Sequence, residues 1–325
     1  ARAMEATLSP GDGRLTAVAA DCCVGAGFPL ATALHPHAAE IVWRNTSRPI
    51  FVALRDLATL SADELTNQAA LLAGPELDEA VYLYVAEPQG QDRQSEAFTV
   101  ALARVADERW AQSLAAWVPR EPSEAEWAAW REDVALELVR GDPTLTPRHP
   151  LRLRLDEDAE ARRGRLAALL ARLYAEGYLL ARWGTDPVGS GDWREVLARL
   201  ASRALDRLFP AFGSVAPRRH LLTRTVADGL VAQFILPGEV VDSPGGELAA
   251  DVEDFALPLG LTEGEQGHYR LHLADDSPAR ALVDYLPDRP VTLTAVERWL
   301  AKSTYGLVTD QADLLVAAAV RRGYL

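Results

Sequence analysis

Three short, nearly continuous apolar runs, each followed by a stretch with helical spacing, constrain the fold of this chain more than any other feature. They are Ile50-Phe-Val-Ala-Leu54, Ala80-Val-Tyr-Leu-Tyr-Val85 and Ser113-Leu-Ala-Ala-Trp-Val118. Runs without polar alternation suit strands buried on both faces. Ser61-Ala-Asp-Glu64 and Ser123-Glu-Ala-Glu126 each place a carboxylate three residues after a serine, the pattern of a capping box. They predict helices running to about Ala73 and Arg140. A further helix is expected from about Ser95 to Asp107, with Phe98, Leu102 and Val105 on one face. Alternating strands and helices imply parallel strands with right-handed crossovers, hence a small α/β domain over residues 49–147. Residues 1–48 read as a partly helical lead-in.

The turn-rich stretch from Gly141 to Pro150 predicts a domain boundary. Beyond it the chain reads as mainly helical. Residues 148–236 form an arginine-rich, winged-helix-like domain in this reading. Asp156, Glu157, Asp158 and Glu160 load the first turn of a helix whose stripe is Leu166, Leu169, Leu170, Leu173 and Tyr174. Leu179–Trp183 reads as a strand, Trp193–Phe209 as a helix and Thr223–Phe234 as another. Residues 237–254 read as an acidic linker. Residues 255–325 then hold a β-hairpin, with Phe255–Leu261 and Tyr269–Leu273 bracketing Thr262–Gly267, and a truncated winged-helix-like module. Two helix endings resemble one another: Glu176-Gly-Tyr-Leu179 and Arg322-Gly-Tyr-Leu325. The second stops where a wing would begin, so a longer parent protein is expected.

Charge is divided unevenly along the chain. Its formal total is −14, and Lys302 is the single lysine. Residues 148–224 hold 15 basic and 9 acidic groups, and residues 225–286 hold 2 and 12. No run approaches the roughly 18 apolar residues of a membrane span. The two cysteines, Cys22 and Cys23, are adjacent, which fits neither a disulfide framework nor a CxxC site. A cytoplasmic setting without membrane contact is the expectation.

Few residues invite a chemical role. Ligands of parallel sheets gather at the carboxyl ends of the strands, where Asp56 and Glu87 could share a divalent cation. A small metal-dependent enzyme is therefore the alternative reading, although acidic residues after strands also serve as ordinary caps. His35-Pro-His37 lacks a third ligand at suitable spacing, and a loop or helix start explains it better. A phosphate-gripping loop needs GxxxxGK before Ser or Thr, and Lys302 follows Ala301. No catalytic motif and no cofactor is expected in this segment. Arg148, Arg152 and Arg154, with Arg218, Arg219 and His220, are the candidate contacts to double-stranded DNA.

The succession Leu173–Tyr178, Ala204–Phe212, Leu257–Leu261 and Tyr305–Leu307 with Leu314–Val320 resembles the region C-terminal to the ATPase core of large bacterial anti-phage defence P-loop ATPases, the BREX type and its relatives. The resemblance covers about Ile50 to Leu325 and rests on order and patterning. It implies a protein-assembly segment of a larger ATPase, other subunits of a defence complex as partners, and DNA as the eventual target. The family's nucleotide motif is not in these residues, so the resemblance assigns no catalytic residue here.

Overall fold

The capping boxes form as expected. In the computed structural model, which describes residues 2–9, 12–22, 37–73, 80–189, 192–243, 245–286 and 291–325, the Glu64 carboxylate accepts the Ser61 backbone N–H at 2.7 Å. Ser123 and Glu126 exchange both bonds of their box. In chain order the elements are α1 (Arg2–Glu5), α2 (Gly13–Cys22), β1 (His37–Trp43), β2 (Thr46–Arg55), α3 (Ala62–Ala73), β3 (Val81–Ala86), α4 (Gln91–Ala103), α5 (Glu108–Ser113), β4 (Leu114–Val118), α6 (Glu124–Arg140), α7 (Pro150–Glu157) and α8 (Ala159–Ala175). There follow β5 (Tyr178–Ala181), β6 (Gly184–Pro187), α9 (Trp193–Leu208), α10 (Arg224–Leu230), β7 (Glu239–Val241), α11 (Glu247–Asp251), β8 (Thr262–Glu265), β9 (His268–Leu271), α12 (Pro278–Tyr285), α13 (Leu293–Lys302) and α14 (Thr309–Arg321).

Contacts divide the chain into two units: Ala1–Ala39, Ile50–Gly74 and Val81–Leu200, and Glu40–Pro49, Pro75–Ala80 and Ala201–Leu325. The expected α/β start followed by mainly helical chain is observed at that coarse level. The sheet itself is mixed and larger than a small parallel one. Its order is β1-β2-β3-β4-β5-β6. β2, β3 and β4 are parallel, whereas β5 and β6 run antiparallel. β3 and β4 are buried along their whole length, which explains their unbroken apolar sequence. The sheet also continues past the boundary expected at 141–150, because β5 pairs with β4 through Trp117↔Leu179 and its neighbours. A continuous ladder of backbone bonds outweighs the turn-rich composition between α6 and α7.

Two buried aromatic residues tie this sheet to α8. The Trp117 indole donates to the Tyr174 carbonyl at 3.0 Å, and the Tyr174 hydroxyl donates to the Ala86 carbonyl at 2.6 Å. α2, α6 and α8 pack against one another. The helix expected to begin near Asp156 is α8, and a separate short helix, α7, precedes it.

In the second unit, α14 packs against α10, α12 and α13, burying Leu314, Leu315, Ala318 and Ala319. The tip of the β1–β2 hairpin belongs to this unit. There Trp43 stacks on Phe212 at 4.4 Å, and the buried Arg48 guanidinium donates to the Gly306 carbonyl at 2.6 Å. β7, β9 and β8 form a separate antiparallel sheet in that order.

Four expectations are corrected here. The stretch 237–254, read as a linker, contains β7 and α11, and Phe255–Ala256 end a π-helical turn instead of opening a strand. Thr262–Glu265, read as a hairpin loop, is itself β8, and the turn is only Gln266-Gly267, both at positive φ. Such a two-residue turn matches the twist of the flanking strands. After α14, Gly323–Leu325 form no strand.

A recurrence joins the first two corrections. Val231, Phe234, Leu236 and Pro237 return as Val252, Phe255, Leu257 and Pro258. Each set ends its helix in a π turn, closed by the Leu236 N–H on the Val231 carbonyl and the Leu257 N–H on the Val252 carbonyl, both at 2.9 Å. Proline has no N–H with which to continue. Each helix therefore stops and releases the chain toward a strand, β7 or β8.

Candidate functional site

At the carboxyl ends of β2, β3 and β4 the sequence placed Asp56 and Glu87, and the structure brings them into electrostatic range. The Glu87 carboxyl is raised above its ordinary range, first by burial and then by the Asp56 charge. Local structure already employs the groups around them. The Asp56 carboxylate accepts the Ala58 N–H at 3.0 Å and caps a 3-10 turn. Gln94, buried in the first turn of α4, accepts from the Leu57 N–H and donates to the Glu87 carbonyl at 2.8 Å. Glu121 accepts the Gln91 N–H at 2.9 Å. Among the described residues no group of three or more His, Cys, Asp or Glu is arranged to hold a metal ion. His35 and Pro36 lie outside the described residues. Gln94 was missed because its only signal is one polar residue on an otherwise apolar helix face.

The arginines of residues 148–224 divide into two kinds. Those of α8 pair with acidic residues of α6. Arg162, 3% exposed, meets Glu137 at 3.1 Å, and Arg163 reaches the same carboxylate. Arg165 meets Asp133, and Arg172 meets Glu126, both at 2.6 Å. Three carboxylates that precede the segment, Glu126, Asp133 and Glu137, thus offset at most half of its excess of 15 basic over 9 acidic groups. Arg148 and Arg154 are exposed, and Arg152 donates to the Leu145 carbonyl at 3.1 Å. Arg148, Arg152 and Arg154 belong to the first unit, and Arg218, Arg219 and His220 to the second.

The second group sits on a loop fixed by Asp254, a residue the sequence did not single out. Its buried carboxylate accepts the backbone N–H groups of Arg219 and His220 at 2.6 and 2.8 Å, and its Oδ2 lies 3.2 Å from His220 Nδ1. Arg219 also approaches Glu253 at 3.7 Å. The Arg218, Arg219 and His220 side chains remain exposed.

Asp254 lies within an acidic stretch of the chain. From Glu239 to Leu271 there are eight carboxylates and one guanidinium, Arg270. Across the three-stranded sheet, Glu239, Arg270 and Glu263 form one row of outward side chains, and Val241, His268 and Glu265 the next. Val240, Tyr269 and Leu271 point the other way and are buried. The Tyr269 hydroxyl donates to Glu253. The outward face lines an open groove of about 440 Å³. The sequence placed His268 and His272 on one strand face but not the carboxylates beside them, because those lie on two other short strands.

No protein-family model, curated protein or solved structure matches this chain.

Proposed function

We propose that the chain is a non-catalytic docking segment of a larger cytoplasmic protein, in keeping with its resemblance to the region beyond the ATPase core of bacterial defence ATPases. In this reading the second unit contains a winged-helix-like module, located at α10–β9 instead of at the chain's end. The order helix, strand, helix, hairpin, with β7 joined to β9, supports that assignment.

One observation carries the choice of protein over DNA as its immediate target. In nucleic-acid readers of this type the helix enters the major groove and the hairpin touches phosphate, so both need cationic side chains. Here the helical stretch carries Glu247, Asp251 and Glu253, and the hairpin carries Glu263 and Glu265 against Arg270 alone. Such a surface repels a polyanion and leaves protein as the partner.

A second reading is favoured by the loop on Asp254, which holds Arg218, Arg219 and His220 at the surface. Direct contact with double-stranded DNA through that loop is separable by experiment. Anisotropy of a labelled duplex titrated with the chain at low salt is expected to show no saturable binding. Salt-dependent binding abolished by Arg218→Glu with Arg219→Glu would replace the docking reading with the DNA one. The metal-enzyme alternative is tested by adding Mg²⁺ or Mn²⁺. A shared ion at Asp56 and Glu87 would raise the melting temperature of the wild type and not of Glu87→Gln.

A further inference from the structure

We propose that the outward face of the β7-β9-β8 sheet receives an extended, arginine- or lysine-rich segment of a partner protein, an inference that rests on the docking reading and specifies its surface and partner chemistry.

The face has the shape and the charge for such an occupant. One side of the sheet is buried beneath Val240, Tyr269 and Leu271, so the other, with its open groove, is the side offered to solvent. Arg270 stands between two carboxylates, Glu239 at 4.0 Å and Glu263 on the paired strand. One guanidinium cannot neutralise both. Glu263 has the His272 ring 3.9 Å away, and Glu265 lies opposite His268. With the imidazoles neutral, the six side chains of the two rows hold three negative charges and one positive.

Spacing then selects the kind of segment. Glu239 and Glu263 lie on strands separated by β9, so two interstrand steps of about 4.8 Å part them by about 10 Å. An extended segment in the polyproline II conformation has three residues per turn and rises about 3.1 Å per residue, so cationic side chains three positions apart face the same way and lie about 9 Å apart. Arginine suits such sites because its planar fork binds a carboxylate through two parallel hydrogen bonds. Val241, 70% exposed at the edge of the sheet, supplies apolar contact for the aliphatic stems. Asp242 directly follows β7 and adds a carboxylate at that end of the sheet, and an excess of negative charge raises the rate of encounter with a cationic segment.

The test uses the whole chain and a fluorescein-labelled peptide with arginine at every third position, followed by anisotropy at low salt. Saturable binding that weakens as salt rises is expected. Replacing Glu239, Glu263 and Glu265 together by glutamine should weaken it at least tenfold. Arg270→Gln should strengthen it several-fold, because the competing guanidinium is gone. A control with the same loss of charge in the first unit, Glu96→Gln, Glu132→Gln and Glu160→Gln, should bind as the wild type does. Thermal melts followed by circular dichroism confirm that each variant is folded, and single substitution of Glu263 replaces the triple if that one is not. Absence of binding at low salt would overturn the proposal. So would equal losses in the control and the sheet variant, which would reduce the effect to net charge. If the peptide binds but only Glu247→Gln with Asp251→Gln weakens it, the sheet face is wrong while docking stands. Duplex DNA binding lost on Arg218→Glu with Arg219→Glu would instead remove the docking reading itself.

Discussion

Glu137 has the most demanding position of any single residue, because one buried carboxylate meets Arg140, Arg162 and Arg163. Removing one partner of a buried pair leaves the other desolvated and uncompensated. Glu137→Ala is therefore expected to destabilise the chain by about 3–5 kcal/mol in denaturant unfolding, by stranding Arg162. Arg163→Ala, whose side chain is half exposed, should cost about 1 kcal/mol or less. Similar costs for the two would contradict the assignment of Arg162 as the buried partner. Glu126 offers a pH test. The Arg120 guanidinium, aided by the Ser123 N–H, holds its carboxyl down at about 2, against an ordinary 4.5. Its contribution to stability is thus complete above pH 4.5 and is lost as pH falls toward 2. In Arg120→Ala the carboxyl should titrate nearer 4.5 by NMR, with acid unfolding beginning at higher pH. Glu87 has the opposite sign. Its raised carboxyl favours the protonated folded state, so its contribution is present at low pH and disappears as pH rises past its folded value. Glu87→Gln should accordingly melt at or above the wild-type temperature at pH 7 in metal-free buffer, and a lower melting temperature would reveal a favourable role for the carboxylate.

Among elements, the two helix endings in Gly-Tyr-Leu share a spelling but not a physical cause. A Cβ on Gly177 would lie 2.3 Å from the Val118 carbonyl oxygen and 2.8 Å from the Pro119 Cα, so the residue is small because β4 passes close by. Gly323 has open space around it and a φ of +75°, and its neighbours close a left-handed helix cap, with the Tyr324 N–H on the Ala319 carbonyl at 3.0 Å. Gly177→Ala should displace β5 against β4 and lower stability by several kcal/mol, of the order found for overpacked cores. Gly323→Ala should cost about 1 kcal/mol, the penalty of a left-handed backbone for a residue with a Cβ. Equal losses in calorimetry would mean that the two glycines serve one purpose after all. The legible elements were those whose signal lies inside them, such as the capped α3 and α6 and the apolar β3 and β4. The π turns before Pro237 and Pro258 were not legible, since nothing in Val-x-x-Phe-x-Leu-Pro distinguishes a widened last turn from an ordinary helix end.

For the whole molecule, charge along the chain and charge in space differ. Residues 148–224 carry a positive excess on paper, yet the α8 arginines lie against α6, whose acidic residues come earlier in the sequence. Raising the salt concentration should therefore change the stability of the first unit little at the buried Arg162–Glu137 pair. Binding at the acidic sheet of the second unit should depend on salt strongly, because its rows remain exposed. None of the described helices is long and apolar enough to cross a membrane. The sequence by itself determined the buried strands, the capped helices, the packing stripe of α8 and the unequal distribution of charge along the chain, because each depends on neighbours within a few positions. Only the tertiary structure decided that β5 and β6 complete the first sheet, that Asp254 fixes the loop of Arg218 to His220, and that Glu239 and Glu263 flank Arg270. Most of those relations join residues tens of positions apart, and local spacing carries no information about which distant backbone a strand edge or a carboxylate will meet.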